Sequence, residues 1–271
     1  NWVNGRKTNE LGRVLEMVSE GKKNQFAIVV DGTYRYGKDG QIAASYTWND
    51  SKDNTSYNGN VANTATLDQM VIDDPRSLSK MNYSNTQFRS KAVVTVTTPA
   101  YHGFSASLRF SGISGTRYSL AVSGNVNGDF VSSNDLAYIY DPNNPNIPEY
   151  LKKGIESILN NDKVEQSMKD YITKSFGKVA ERNGGINGFY GNFDLRIAKK
   201  FNFKNGQGVE LTADLFNLGN LISKDWGVKR NLGKQNIYAI NGFDATEEVY
   251  KYKVSASTGI SSFSGTPWQA Q

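Results

Sequence analysis

The sequence contains no cysteine and only one histidine, His102. The lack of cysteine excludes disulfides and thiolate metal sites, and the single histidine excludes most histidine-based metal sites and general bases. Long apolar runs are missing too. The longest, residues 26–30, is far shorter than the roughly 20 residues that a membrane-spanning helix needs. We therefore expect neither a membrane helix nor enzyme activity.

Blocks of basic residues are also absent, although the net charge is +5 over 271 residues. Nucleic-acid binding usually needs a concentrated basic face, so we expect no nucleic-acid partner. The chain begins at Asn1 without methionine and without a signal-peptide pattern. We interpret it as a piece of a longer protein.

What the sequence has in quantity is aromatic residues and glycine, a balance that favours β-structure: 15 Tyr, 13 Phe, 4 Trp and 26 Gly. The clearest pattern lies in residues 188–218, where apolar and polar residues alternate on both sides of the turn 204–208. That turn contains Asn-Gly, which suits a β-hairpin. One face of the predicted hairpin is apolar and carries Phe189, Phe193, Leu195, Ile197, Phe201, Phe203, Val209, Leu211, Ala213 and Leu215.

Two more hairpins are predicted upstream. The first pairs strands 25–36 and 41–50 around the turn 37–40, and the second pairs strands 87–98 and 104–111 around the join 99–103. Aromatic residues at the ends of the first hairpin resemble an interfacial belt, but cross-strand aromatic pairs in a soluble sheet fit as well.

The segments between the hairpins are long and polar: 51–85, 118–187 and 219–265. Two apolar stripes at helical spacing between residues 147 and 179 predict two short amphipathic helices that pack on the loop itself. A helical turn is also expected at 11–18.

One of these segments has a cation-loop pattern. Asn125, Asn127 and Asp129 alternate like the oxygen ligands of Ca2+, but the glycine and the acidic residue of an EF-hand are missing. An Asn/Gly turn is the simpler interpretation, so we expect no cofactor unless this loop binds Ca2+.

Two architectures fit these alternating strands. One is a soluble sandwich with solvated outer faces, and the other is an outer-membrane β-barrel whose apolar face meets lipid and whose charged face meets a watery lumen. The joins favour the barrel, because short and long joins alternate strictly through the three hairpins. Outer-membrane barrels keep short turns on the periplasmic side and long loops outside.

Four segments also resemble one family. Residues 193–227, FDLRIAKKFNFKNGQGVELTADLFNLGNLISKDWG, look like the penultimate hairpin of TonB-dependent outer-membrane receptors of the Bacteroidota, in the Oar-like branch with a carboxypeptidase-regulatory-like domain. Residues 122–139 (VSGNVNGDFVSSNDLAYI), 171–184 (YITKSFGKVAERNG) and 264–271 (SGTPWQAQ) are similar to further segments of that branch. Phe130 stands where the family commonly has glycine, which weakens the cation interpretation.

The resemblance implies an all-β fold, an antiparallel transmembrane barrel of about 22 strands, with residues 1–271 as its C-terminal portion. It places the chain in the cell outer membrane, in contact with lipid. The plug domain, the TonB box, the earlier strands and the last strand are missing from this sequence. The family's own plug and TonB would be partners through that missing N-terminal part. A lipoprotein or a larger envelope complex stays open as a further partner.

The implied function is uptake of a solute across the outer membrane, with this chain as barrel wall and outer loops. The residues expected to face the lumen, on the plug or on the solute's path, are Asp31, Arg35, Arg89, Lys91, Arg109, Asp194, Arg196, Glu210 and Asp214. The alternatives are a passive outer-membrane channel, a surface adhesin, a subunit of a larger envelope complex, or a secreted carbohydrate-binding sandwich. No catalytic residues are expected, because the one histidine lies in a short turn.

Overall fold

A computed structural model describes residues 19–56, 69–70, 80–128, 131–132, 134–224, 226–255, 258–260 and 262–264. Within them the chain is mostly β. Its strands are β1 (Lys23–Tyr36), β2 (Gly40–Asp53), β3 (Asn82–Tyr83), β4 (Ser90–Thr97), β5 (Phe104–Ile113), β6 (Arg117–Tyr118), β7 (Leu120–Ser123), β8 (Tyr138–Ile139), β9 (Lys178–Val179), β10 (Gly185–Ile186), β11 (Tyr190–Asn202), β12 (Gly208–Leu215), β13 (Lys229–Asn231), β14 (Gln235–Asp244), β15 (Val249–Val254) and β16 (Ser262–Ser264).

The helices of the described chain are α1 (Glu149–Leu159), α2 (Gln166–Lys174) and α3 (Gly219–Ile222). None of these described helices has the length and apolar character needed to cross a membrane. The helical turn predicted at 11–18 lies outside the described residues. The two amphipathic helices predicted between 147 and 179 are confirmed as α1 and α2.

Six long strands form one antiparallel sheet in the order β1-β2-β4-β5-β11-β12, and β3 adds to the end of β2. These are the six strands that alternation predicts. Among the described residues β1 and β12 each pair on one side only, so this part of the sheet is open. Neighbouring strands of the sheet are joined alternately by short turns at one edge and long segments at the other.

The short turns contain residues in the left-handed backbone region. The join between β4 and β5 ends in a two-residue turn, His102 and Gly103, whose φ values are 48° and 80°. Two backbone hydrogen bonds between Tyr101 and Phe104, of 2.8 and 2.9 Å, close this loop. Positive φ at both central residues is the geometry that twisted hairpins favour.

The long segments fold into a unit of their own, which we call the loop domain: the described residues of 117–187 and 229–260. Its largest sheet places β14 between β7 and β15, with the β7 pairing parallel and the β15 pairing antiparallel. Helix α1 packs on β15 of this sheet and helix α2 packs on β10, each with one apolar side. The buried side chains are Leu151, Ile155 and Ile158 on α1 and Met168, Tyr171 and Ile172 on α2.

The apolar core of the described chain lies in this loop domain rather than on the six-stranded sheet. Its buried members include Leu120 on β7, Ile139 on β8, Leu232 directly after β13 and Ile237 on β14. The helices therefore pack on the loop's own residues, as predicted. The short strands β3, β6 to β10, β13 and β16 are not anticipated individually by the alternation pattern.

Candidate functional site

The six-stranded sheet has one apolar face that the described chain leaves uncovered. One row of paired residues crosses all six strands: Tyr34, Ile42, Val96, Leu108, Leu195 and Leu215. A parallel row crosses five strands and holds Gly32, Ala44, Val94, Phe110 and Phe193. Five strand spacings of about 4.8 Å make this surface about 24 Å wide.

Large apolar side chains of this face are exposed to a degree that is unusual for a protein core. Val30 is 64% exposed, and Leu211 is 61% exposed. A wide exposed apolar surface marks a site of contact with another protein or with lipid. The face is therefore the first candidate for a functional surface.

Aromatic residues collect near both ends of the apolar face. At the short-turn edge Tyr34 and Tyr36 stack with ring centroids 6.3 Å apart, and at the opposite edge Phe26 meets Trp48 at 6.0 Å. Amphipathic rings favour the two interfaces of a membrane with water.

Lys199 is the exception on the apolar face, and its surroundings explain it. It lies opposite Phe104 and Leu211, and its Nζ is 3.9 Å from the centroid of the Phe104 ring. The same Nζ donates a hydrogen bond of 2.7 Å to the carbonyl oxygen of His102 in the turn. The stem of Lys199 thus covers apolar surface while its charge is held at the short-turn edge.

The other face of the sheet is polar and holds most of the residues predicted to face a lumen. Arg196 and Asp214 lie directly opposite each other on β11 and β12. Arg196 donates from Nε and from one terminal nitrogen to the two carboxylate oxygens of Asp214, at 2.6 and 3.0 Å. This two-pronged geometry is the strong form of an arginine–carboxylate pair.

The remaining lumen candidates follow from the same register. Arg109 lies opposite Asp194, and Glu210 lies opposite Lys200. Asp31, Arg35 and Lys91 lie opposite Ser45, Gln41 and Thr47. The face is not purely polar, since Val29 and Val93 are also part of it.

Arg89 is the one lumen candidate that lies apart from these rows. It directly precedes β4, and its guanidinium carbon is 5.2 Å from the centroid of the Trp48 ring. It also forms an ion pair of 3.6 Å with Asp50. Trp48 and Asp50 alternate with the polar-face residues Thr47 and Asn49, so the side chain of Arg89 extends toward the apolar side at the long-loop edge.

The loop domain docks on the polar face at that same edge. The key contact is between Arg182, in the turn after β9, and Asp53, the last residue of β2. A terminal nitrogen of Arg182 is 2.8 Å from the Asp53 carboxylate and 2.5 Å from the Asp53 carbonyl oxygen. Both side chains are only 7% exposed. β2 thus continues three residues into the segment predicted as a loop, because Ser51 and Asp53 are covered there.

A buried asparagine reinforces this docking. Asn183, with φ of 57°, donates from its amide to the carbonyl of Tyr83 at 2.7 Å and to the side chain of Asn85 at 2.6 Å. A second buried asparagine, Asn187, joins two stretches of the loop domain itself: it donates to the carbonyl of Leu232 at 3.0 Å and accepts from its backbone N–H at 2.6 Å. The loop domain is therefore fixed to the sheet by buried hydrogen bonds rather than tethered by a flexible linker.

The candidate cation loop has the geometry of a turn where it is described. The side-chain oxygen of Asn125 accepts a hydrogen bond of 2.8 Å from the backbone N–H of Gly128, and Asn127 lies between them. Asp129 lies outside the described residues. Among the described residues no group of three or more His, Asp or Glu side chains is placed to hold a metal ion. Binding of Ca2+ by this loop stays a prediction.

Three buried tyrosines of the loop domain have raised pKa values. Burial raises the pKa of Tyr118 to about 12, although a hydrogen bond with Ser167 works against the shift. Burial likewise raises the pKa of Tyr171 and Tyr238 well above the usual range. At neutral pH these buried phenols are therefore uncharged.

The docking residues Asp53, Arg182 and Asn183 were not among the sequence candidates. Arg182 and Asn183 belong to the segment 171–184, which resembles the receptor family. That resemblance does not predict which residues they contact. No signal in the sequence links them to Asp53, because the pair is separated by 129 positions.

Comparison with known proteins adds no assignment: no protein-family model matches this sequence, and no curated protein sequence is similar to it.

Proposed function

We propose that this chain is part of the wall and outer loops of an outer-membrane β-barrel, and that the barrel is a TonB-dependent transporter that takes up a solute. The observation that carries the proposal is the uncovered apolar row across all six strands, opposite a face of charges and hydroxyls. In a soluble sandwich the apolar face would be the core. Here the core of the described chain lies in the loop domain instead.

The dimensions of the apolar face support a membrane location. On β1 the apolar positions run from Phe26 to Tyr36. Ten residues at about 3.4 Å each cover about 34 Å along the strand, and a tilt of about 40° reduces this to a height of about 26 Å. That value matches the apolar band of about 25 Å in outer-membrane barrels.

The open edges of the sheet support a larger assembly of strands. β1 is 14 residues long and exposed along nearly its whole length. A long exposed edge beside an apolar face would promote aggregation unless it were paired. We infer that further strands continue the sheet beyond β1 and β12 and that the polar face then encloses a watery lumen. Ion pairs such as Arg196–Asp214 would stand on the inner wall, toward a plug.

The positions of the short and long joins support one orientation of the sheet in the membrane, with the long segments on the outside. All three short turns lie at one edge, and the loop domain lies at the other. In outer-membrane barrels the long loops are extracellular. The loop domain would accordingly cover part of the outer mouth, where an incoming solute first meets the protein.

A charge placed on each face of the sheet tests whether the apolar face meets lipid. Leu195 is a better position than Leu211 for this test. Leu211 lies opposite Lys199, which already carries a charge, whereas Leu195 lies between Leu108 and Leu215. Leu195→Arg should cost about 2–4 kcal/mol if it faces lipid at mid-depth and should block assembly. The matched change Thr212→Arg, on the polar face, should assemble normally.

The measurement is the fraction of folded protein in the outer-membrane fraction of cells that express each variant. Equal yields for the two variants would contradict the wall assignment. So would a wild-type protein that stays folded and soluble without detergent.

The transport step needs a separate test, because a passive channel would have the same wall. The complete protein, reconstituted in a planar bilayer, should conduct no steady ion current, since a plugged lumen is closed without TonB. A steady current in wild-type protein would instead identify a passive channel.

A further inference from the structure

A cavity of about 320 Å3 lies where the loop domain meets the outer end of the sheet. Its walls come from the residues after β2, from β6 and from the turn at 182–183. Three of the described lining residues are basic, namely Arg117, Arg182 and Lys234, and none of the described lining residues is acidic. The cavity adjoins Asp53, which stands on the polar face of the sheet.

Arg182 supplies an unsatisfied donor at this wall. One terminal nitrogen of its guanidinium bonds to Asp53, as described above. The other, NH1, is enclosed and has no hydrogen-bond partner among the described residues, on a side chain that is 7% exposed. Buried polar groups are almost always hydrogen-bonded, and a buried donor without a partner costs about 1–3 kcal/mol. The positive charge of Arg182 at the cavity wall is therefore only partly compensated by its hydrogen bonds.

Arg117 is held in place beside it. Its guanidinium carbon is 3.7 Å from the centroid of the Tyr83 ring, and its Nε donates a hydrogen bond of 2.7 Å to Gln87. A guanidinium fixed on both sides loses little conformational freedom when it binds a ligand. Its position is therefore organised before any ligand arrives.

Small polar groups complete the lining. Ser56, Asn85, Ser119 and Asn183 contribute hydroxyl and amide groups to the wall. A neighbouring cavity of about 240 Å3 shares Thr55, Ser56 and Asn85 and is lined further by Lys22, Lys23 and Asp53, the partner of Arg182. The larger cavity thus combines three basic side chains with hydroxyl and amide groups, which suits an oxyanion that carries hydroxyls.

We propose that this cavity is an anion site that takes a carboxylate or phosphate group of a polar solute. The assignment of that solute as the transported cargo rests on the proposed function, since the polar face would then be the lumen wall and the cavity would lie at its outer mouth. Anion binding itself does not depend on transport. The two claims can therefore fail separately.

Binding is tested by isothermal titration calorimetry on the complete detergent-solubilised protein. The probes are inorganic phosphate and glucuronate, with glucose as the neutral control. We expect both anions to bind in the millimolar range or tighter, to weaken as ionic strength rises, and glucose to bind much less.

The matched variants are Lys234→Gln and Lys174→Gln. Both lysines are exposed in the loop domain, so neither change should affect folding, but only Lys234 lines the cavity. We expect Lys234→Gln to weaken anion binding about tenfold, which is the contribution of one charge-assisted hydrogen bond. Lys174→Gln should leave the affinity for both anions unchanged.

Three results would overturn the anion site. These are the absence of binding by both probes, an equal loss in the two variants, and a crystal soaked in phosphate that holds only ordered water in the cavity. If the protein proves soluble while the anions bind as expected, the transporter assignment fails and the anion site stands. If the protein assembles in the outer membrane without binding the anions, only the anion site fails.

Discussion

Replacing Asp53 with asparagine removes the carboxylate that neutralises a buried arginine. Arg182 would keep its charge at a site where its side chain is 7% exposed, with the Asp53 carbonyl as its remaining acceptor in the pair. Removing one partner of a buried ion pair typically costs about 3–5 kcal/mol, because the other charge stays desolvated. The backbone N–H and hydroxyl of Ser56 also donate to the carboxylate, at 2.9 and 2.7 Å.

An asparagine can keep part of the Ser56 contact, so we expect the lower end of the range, about 3 kcal/mol. This corresponds to a more than hundredfold change in the unfolding equilibrium. The loss should fall on the loop domain, since Arg182 joins that unit to the sheet. Pulse proteolysis in urea, with cleavage mapped by mass spectrometry, measures the free energy of opening and identifies the segment that opens.

The control is Asp244→Asn, which breaks the exposed pair of Asp244 with Lys251 at 3.0 Å. Exposed ion pairs contribute about 0–1 kcal/mol, so this variant should stay close to wild type. If Asp53→Asn cost no more than Asp244→Asn, Arg182 and Asp53 would not anchor the loop domain, and the docking described above would be wrong.

Three further predictions concern packing and pH. Ile155→Ala should destabilise the loop domain by about 2–5 kcal/mol, because this α1 side chain is fully buried; a loss below about 1 kcal/mol in urea denaturation would argue against that core. Gly115→Ala should cost about 1–3 kcal/mol, since an added Cβ would lie within 2.4–2.5 Å of the Cβ and the backbone carbonyl of Asn187, whereas Gly32→Ala on β1 meets nothing within 4 Å; equal melting temperatures for the two variants would refute this. Alkaline pH should destabilise the loop domain by up to about 3 kcal/mol per tyrosine like Tyr118, because the unfolded phenol loses its proton near pH 10 and the folded one near 12. This stabilisation is complete below pH 10 and disappears as the pH rises to 12, and tyrosine absorbance that titrates entirely near pH 10 in folded protein would contradict it.

The six-stranded sheet could be predicted because its signals are local. Strict alternation marks each long strand, and the turns carry their own chemistry in Asn205-Gly206 and His102-Gly103. Within each hairpin the two strands follow one another in sequence, so their pairing needs no information from distant residues. Only the pairings of β2 with β4 and of β5 with β11 cross the long segments. The face of each charged side chain then follows from its position in the strand, which is why the lumen candidates on the strands share one face.

The loop domain could not be predicted in the same way. Its strands are mostly two to six residues long, too short for a reliable period. Its central sheet pairs β7 with β14 in parallel, which joins Leu120 to Gln235 across more than a hundred residues. The face taken by Arg89 on the sheet could not be predicted either. Arg89 lies just outside the regular part of β4, where alternation no longer fixes the direction of a side chain, and it contacts Trp48 there.

The central claim is that alternate side chains of these strands face lipid and water. Because this chain contains no cysteine, single cysteines can be placed at each position from Val209 to Leu215. Each carries a nitroxide spin label in the complete protein, with any cysteine outside these 271 residues replaced by serine, reconstituted in lipid vesicles. We predict that labels at 209, 211, 213 and 215 collide preferentially with oxygen, which concentrates in the bilayer. Labels at 210, 212 and 214 should collide with a water-soluble nickel chelate. Uniform access of the nickel chelate, or exclusion of both reagents from the odd positions, would contradict the lipid-facing wall.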